Sequence, residues 1–438
     1  MTPLRTAAEE SKAAGMNTRR RHAVVLALLC SSACTEETLP PLELAKNCQP
    51  LLAGADCFLP YPSDYFLVDD DTMPTGKRVH HDDDGASKLF SSQGWSADVN
   101  DFIPMDGYSR VPNIVALLGV ALKDEGMVHI NDDPERTLLP SNSTLILDAE
   151  TGERVVHFVD LDPRADDKLR QAIVFHPLTR LQERHRYVVV LQGLVADQGG
   201  LATTPEGYRR LRDKQAKGDP VLEPLAARYE AEVFPVLERA GVERAATQLV
   251  WDFSTGADEW AVTDMLRARE LALAALEETP PTVEVSAMYI NEDDRSWRTI
   301  FGRITGPLVM TGVGGPGSAL ARDDAGEVRL NGTMTFDFMA VVPNSVRDGF
   351  EAGIPLVYGH GFFGAQGELG VYSTPKVLDA VGAVGFAVDW LGMSDGDLGV
   401  LIPAIGEEVY RSLEFGERVP QAMVNFMTLR AAIEGPMR

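Results

Sequence analysis

The sequence predicts a multi-domain fold: a β-rich sandwich with a helical insertion, followed by the first part of a parallel α/β sheet. Three observations carry this reading. Short β-branched runs alternate with turn residues through 126–200. Apolar residues recur at three- and four-residue spacing through 202–278. From Gly353 onward an apolar run, a glycine-rich loop, a helical stretch and a second buried run follow one another. A chain of 438 residues also exceeds what one ordinary core accommodates.

Composition narrows the classes of partner. Lys plus Arg number 40 against 65 for Asp plus Glu, a net charge of −25. Such a surface repels phosphate backbones, so no nucleic-acid partner is expected, and it disfavours electrostatic docking on anionic lipid. After the first 34 residues no apolar run reaches the roughly 18 residues that a spanning helix needs. A membrane connection is therefore expected only through a lipid anchor.

Residues 1–34 predict a targeting segment. "MNTRRRHAVVLALLCSSAC" starts at Met16, with a basic stretch (Arg19, Arg20, Arg21), a short apolar stretch (Ala23 to Leu29) and small residues before Cys34. Its ending resembles a bacterial lipobox, which implies lipidation of Cys34 and a site in the bacterial envelope, at the outer membrane or cell surface. Ser31 stands where the usual leucine would be, so plain cleavage to a periplasmic or secreted form is the alternative.

Residues 35–125 read as a tether and an irregular, cysteine-containing lead-in. In an exported chain Cys48 and Cys57, nine positions apart, predict a disulfide, with two unpaired buried thiols as the alternative. "VDDDT" (68–72) and "HHDDDG" (80–85) read as solvated acidic loops, because neither has the alternating ligand spacing of a calcium loop. No metal site is expected.

Residues 126–200 predict a small β domain. Strands are expected at Thr144–Leu147 and Val155–Val159, joined by a turn at Ala149–Gly152, and at Ala172–Phe175 and Arg186–Leu191. His176 and His185 lie among them and read as structural. Residues 201–280 predict a helical segment interrupted by the strand-like "ATQLVWDFSTG". Residues 281–350 return to alternating strands. Gly312 to Gly317 lack the pattern of a phosphate-binding loop, and no cofactor is expected.

Residues 351–438 carry the chemistry. "IPLVYGHGFFG" gives a strand at Pro355–Tyr358 that ends in His-Gly, and a helix then leads to a buried strand at Gly385–Val388. The next loop holds "GMSDG" (392–396), which fits the G-x-S-x-G of a nucleophile elbow and makes Ser394 a candidate nucleophile. Three features argue against it. The interval from His360 to Asp389 holds one helix, a single strand–helix–strand step, whereas in the α/β-hydrolases that this stretch resembles the elbow comes one step later. Pro403 and two glycines follow, where an elbow needs an immediate helix. No histidine occurs after His360, although the order in this arrangement is serine, acid, histidine. A short enzyme pairing Ser394 with His360 is the weaker alternative.

The layout resembles a family of exported bacterial α/β-hydrolases, lipases and esterases related to the virulence-factor lipases. The resemblance runs through "CFLPYPSDYF", the pattern I-x-F-x-P…Y-x-V-x-L similar to bacterial Ig-like domains, and the pair "YGHG" and "DWLGMSDGD". It implies an Ig-like sandwich, an α/β-hydrolase sheet and hydrolysis of an ester or lipid substrate without a cofactor. It implies an oxyanion loop at His360, Gly361 and Phe362, with the Phe362 N–H as one donor. It also implies that the helix in "ERVPQAMVNFMTLRAAIEG" leads to the true elbow strand. The serine, acid and histidine are then expected beyond residue 438, and this chain alone is expected to have little activity. The competing expectation is a non-catalytic surface lipoprotein whose Ig-like region binds a ligand or partner.

Overall fold

The computed structural model describes residues 39–437, apart from 82–87, 91–93, 95, 103, 292–295, 348–352, 372 and 408–413. The expected leader with Cys34, and most of "HHDDDG", lie outside the described residues. The protein is multi-domain and β-rich, with several sheets and some helices.

The lead-in holds two short antiparallel ribbons, β1 (Leu67–Asp69) with β2 (Lys77–Val79) and β3 (Lys88–Phe90) with β4 (Ser96–Asp98), then the turn α1 (Val99–Phe102). Six further strands form two antiparallel sheets. β5 (Ile114–Ala116), β8 (Ile173–Pro177) and β7 (His157–Leu161) make one, with β8 central. β6 (Thr144–Asp148), β9 (Arg186–Gln192) and β10 (Thr247–Ser254) make the other, with β9 central.

Sequence pattern explains how each sheet is covered. In β7 and β8 buried and half-buried residues alternate, so one face is solvated. In β6, β9 and β10 nearly every side chain is buried, so both faces must be covered. One face meets the other sheet, where the Phe175 ring lies edge-on to Trp251 at 6.1 Å. The helices α2 (Glu206–Arg212), α3 (Leu222–Arg228) and α4 (Phe234–Arg239) add Tyr208, Leu211, Leu222, Phe234 and Leu237 to the same core. The Tyr229 hydroxyl donates to the Val250 carbonyl at 3.0 Å, satisfying a buried polar group.

Two expectations differ from this arrangement. The hairpin expected across Ala149–Gly152 begins, since the Val155 N–H donates to the Ile146 carbonyl at 2.8 Å. It does not continue: His157–Leu161 crosses to the other sheet and pairs with β8. β6 is buried on both faces and β7 on one, so the two suit different layers. The boundaries expected at 125/126 and 200/201 also fall inside one core, which joins Leu51, Tyr108 and Ile114 to Val189, Tyr208 and Trp251.

The second half starts at α5 (Asp258–Glu278). Its first turn is acidic, and Asp258 pairs with Arg110 and Arg180 of the sandwich. A five-stranded sheet follows, in the order β11 (Thr282–Ile290), β12 (Arg298–Pro307), β13 (Thr333–Val342), β15 (Ala383–Val388), β14 (Ile354–Tyr358). All pairs are antiparallel except β14 with β15, which is parallel. The boundary expected at 350/351 therefore runs through one continuous sheet. After β13 comes the short turn α6 (Asn344–Arg347), and α7 (Thr374–Val381) makes the crossover from β14 to β15 that a parallel pair requires.

Both faces of this sheet are packed at its centre, whereas the edge strands β11 and β14 are largely exposed. On one face, Leu369 and Leu378 meet Met339, Val341, Ala383 and Ala387. On the other lies α9 (Glu414–Glu434), whose Leu429 and Ala432 meet Ile304, Phe338 and Val388. α8 (Leu398–Glu407) follows the loop after β15. No helix among the described residues is long and apolar enough to cross a membrane.

Candidate functional site

The residues singled out from sequence lie on two loops at the carboxyl ends of β14 and β15. These two strands are the one parallel pair of an otherwise antiparallel sheet, and the carboxyl ends of parallel strands are where α/β sheets place their ligands. The loops are zipped together. The Phe363 N–H donates to the Met393 carbonyl at 2.6 Å, and the Asp395 N–H to the Gly364 carbonyl at 2.9 Å. The Gln366 N–H donates to Asp389 Oδ1 at 2.7 Å. Gly359 must be glycine for this approach, because a Cβ there would stand 2.6 Å from Trp390 Nε1.

His360 is 7% exposed and bridges the loops. Its Nε2 accepts the Trp390 N–H at 2.8 Å, which leaves the proton on Nδ1. Nδ1 then donates to the Gly361 carbonyl at 2.7 Å. Both ring nitrogens are engaged in a neutral tautomer, so the ring acts as a strut between two loops.

Ser394 is 4% exposed. Its hydroxyl donates to Asp397 Oδ2 at 2.9 Å, and the same oxygen accepts the N–H groups of Gly392 at 2.8 Å and Ser394 at 3.0 Å. The other carboxylate oxygen meets the guanidinium of Arg418 on α9. Ser394 thus starts the turn Asp395–Asp397 that leads into α8. Its backbone is ordinary extended chain, at φ −91°, without the strain of a nucleophile elbow. Ser394 and His360 lie on neighbouring loops, yet the hydrogen bonds of each run to other groups.

Gly361 and Phe362 form the outer turn. The Phe362 side chain is 63% exposed, and its ring lies 4.1 Å from that of Phe363. Phe363 takes a left-handed backbone at φ +58°, which tightens the turn. Tyr358, at the end of β14, donates its hydroxyl to Glu368 Oε2 at 3.1 Å. Partial burial, and then this bond to Glu368, raise the Tyr358 pKa.

Away from the loops, Cys48 and Cys57 are joined in a disulfide. An apolar groove of about 690 Å³ lies on the α9 side of the sheet, lined by Val283, Ile300, Phe338, Phe386, Ile433 and Met437. Pro355 and Val384 also line it, which places it at the amino ends of β14 and β15, opposite the loops. No group of three or more His, Cys, Asp or Glu is placed to hold a metal ion among the described residues.

Sequence reasoning did not find Asp397, Arg418 or Glu368. A capping signal was present in Ser394-x-x-Asp397. Arg418 and Glu368 carry no local signal, since their roles depend on how α9 and the turn Gln366–Gly370 pack.

No protein-family model, curated protein or solved structure matches this chain.

Proposed function

We propose that this chain is the amino-terminal part of an exported carboxylic-ester hydrolase of the α/β-hydrolase type, with an Ig-like sandwich ahead of it. In this reading the turn at His360, Gly361 and Phe362 forms the oxyanion side of the site. The nucleophilic serine, its acid and its histidine follow residue 438. Acyl transfer builds negative charge on the former carbonyl oxygen, and a fixed backbone N–H beside that oxygen lowers the barrier by about 3 kcal/mol.

The observation that carries the proposal is the outer edge of β14. Parallel strands are normally buried between neighbours. β14 reads "IPLVY", without a charge, and Ile354 is 66% and Val357 43% exposed. On α7 the side chains Val377 and Val381, one helical turn apart, are exposed as well. This edge suits a further parallel strand with its helix. A strand added beside β14 would bring its carboxyl end next to the His360 loop. A nucleophile elbow belongs there, and Ser394 does not take that role.

Export is supported by the leader-like residues 16–34 and by the Cys48–Cys57 disulfide, a bond that persists in oxidising compartments. We propose that Cys34 carries the lipid anchor and that ester or lipid substrates are met at the envelope. Reading the gene past the codon for Arg438 tests the proposal. It expects a strand, a G-x-S-x-G and later an Asp and a His in frame. A stop codon with no such frame downstream removes the hydrolase reading and favours a binding lipoprotein.

A further inference from the structure

The turn at 359–364 contains glycine at 359, 361 and 364 and a left-handed Phe363. One backbone bond closes within the turn, from the Gly364 N–H to the Gly361 carbonyl at 2.9 Å, and the bonds to Met393 and Asp395 hold its far end at Phe363 and Gly364. A turn that is to meet developing negative charge must be fixed before the charge appears. The Gly361 N–H, at the near end of the turn, takes its partner from outside the turn backbone.

That partner is Glu368. It sits on the turn Gln366–Gly370, next to Leu369, which is fully buried against Met339, Val341, Leu378 and Ala387. The core therefore anchors the base of this side chain. Its carboxylate reaches back over the glycine turn. Oε2 accepts the Tyr358 hydroxyl at 3.1 Å and the Gly361 N–H at 3.4 Å, one donor from the strand end and one from the turn. Oε1 packs against Gly364, where a Cβ would stand 1.9 Å from it. One point at the strand end and two in the turn thus meet one carboxylate.

We propose that Glu368 is a positioning residue of this turn, joining its Gly361 end to the sheet core beside the ties to the neighbouring loop. The proposal rests on reading the turn as the oxyanion side of an ester hydrolase. Glu368 acts through Gly361 and Gly364, and it takes no part in bond making.

Amide hydrogen exchange of the full chain, read by mass spectrometry, tests this. Glu368→Ala is expected to speed exchange across 359–366 by about tenfold, with peptides from β12 and β13 unchanged. Glu368→Gln keeps an oxygen that can accept both bonds, and is expected to stay within about twofold of the parent. Gly364→Ala is expected to reproduce the Glu368→Ala pattern with the carboxylate still present, because its Cβ displaces Oε1. Exchange in Glu368→Ala within about twofold of the parent would overturn the proposal, as would equal loss in the Ala and Gln variants. The readout needs no ester turnover. Its failure counts against Glu368 alone, whereas a missing downstream elbow counts against the hydrolase reading.

Discussion

The Ser394 hydroxyl is bound to the Asp397 carboxylate, and that carboxylate is in turn paired with Arg418, buried between the loop and α9. The serine of the G-x-S-x-G match is a helix cap. Replacing a capping serine by alanine costs about 1 kcal/mol. Replacing one member of a buried ion pair costs about 3–5 kcal/mol, because the partner charge is left uncompensated. Ser394→Ala is therefore expected to lower stability slightly, and Asp397→Ala and Arg418→Ala severely. Urea unfolding of the three variants checks the order. Equal losses for Ser394→Ala and Asp397→Ala would show that the ion pair does not hold the loop.

Two buried groups, His157 on β7 and Asp64 in the lead-in, set opposing pH responses. His157 is fully buried, with Nδ1 donating to the Val155 carbonyl and Nε2 accepting from Thr144. Burial depresses its pKa from 6.5 to about 4. Its contribution is complete above pH 6.5 and is lost as pH falls towards 4, amounting to about 3 kcal/mol. Asp64 is pushed up to about 7, first by burial and then by the neighbouring Asp252. Its native state holds the proton more tightly than the unfolded chain does, so stability falls as pH rises from about 4 to 7. The two terms offset each other in the parent. His157→Gln is expected to make stability fall more steeply, or rise less, from pH 4.5 to 6.5 than in the parent. Asp64→Asn is expected to tilt it the opposite way. Denaturant midpoints at the two pH values decide, and tilts of the same sign would contradict the assignment.

The Cys48–Cys57 bridge closes a short loop in the lead-in, where Cys48 and Leu51 are buried. A loop of this length contributes about 2–3 kcal/mol by restricting the unfolded chain. The double Cys→Ser variant is expected to lose that amount in urea unfolding. An unchanged midpoint would mean that the bond adds nothing to the fold.

An apolar edge strand pairs with whatever strand it meets. Ile354→Lys puts a charge on the open edge of β14, where the side chain is already mostly solvated. Sedimentation of this chain is expected to show less self-association for the variant at an unchanged melting temperature. Undiminished association would place the adhesive surface elsewhere.

How much of this was legible in the sequence depended on distance along the chain. β14 is an apolar run between two glycines and β15 an apolar run after one, and the sequence located both to within one or two residues. The turn at 359–364 was visible through its His-Gly pair. "ATQLVWDFSTG" was readable as a strand, but nothing local says that it pairs with β9 and buries Trp251. The lead-in looked irregular because its elements are very short. Leu51 and Tyr108 enter the core through tertiary packing, which leaves no periodic signal. Arg418 was missed for the same reason: α9 brings it to Asp397 across a gap in sequence that no spacing rule covers, whereas Asp397 had a local signal in its spacing from Ser394.

In the proposed arrangement Ser394 caps a helix and the nucleophile lies downstream. This arrangement is tested most directly by labelling the product of the whole reading frame with a fluorophosphonate ester analogue and mapping the modified peptide. One labelled serine is expected, located after Arg438, with labelling unchanged in Ser394→Ala. Label on the peptide that contains Ser394, or no labelled serine at all, would contradict it.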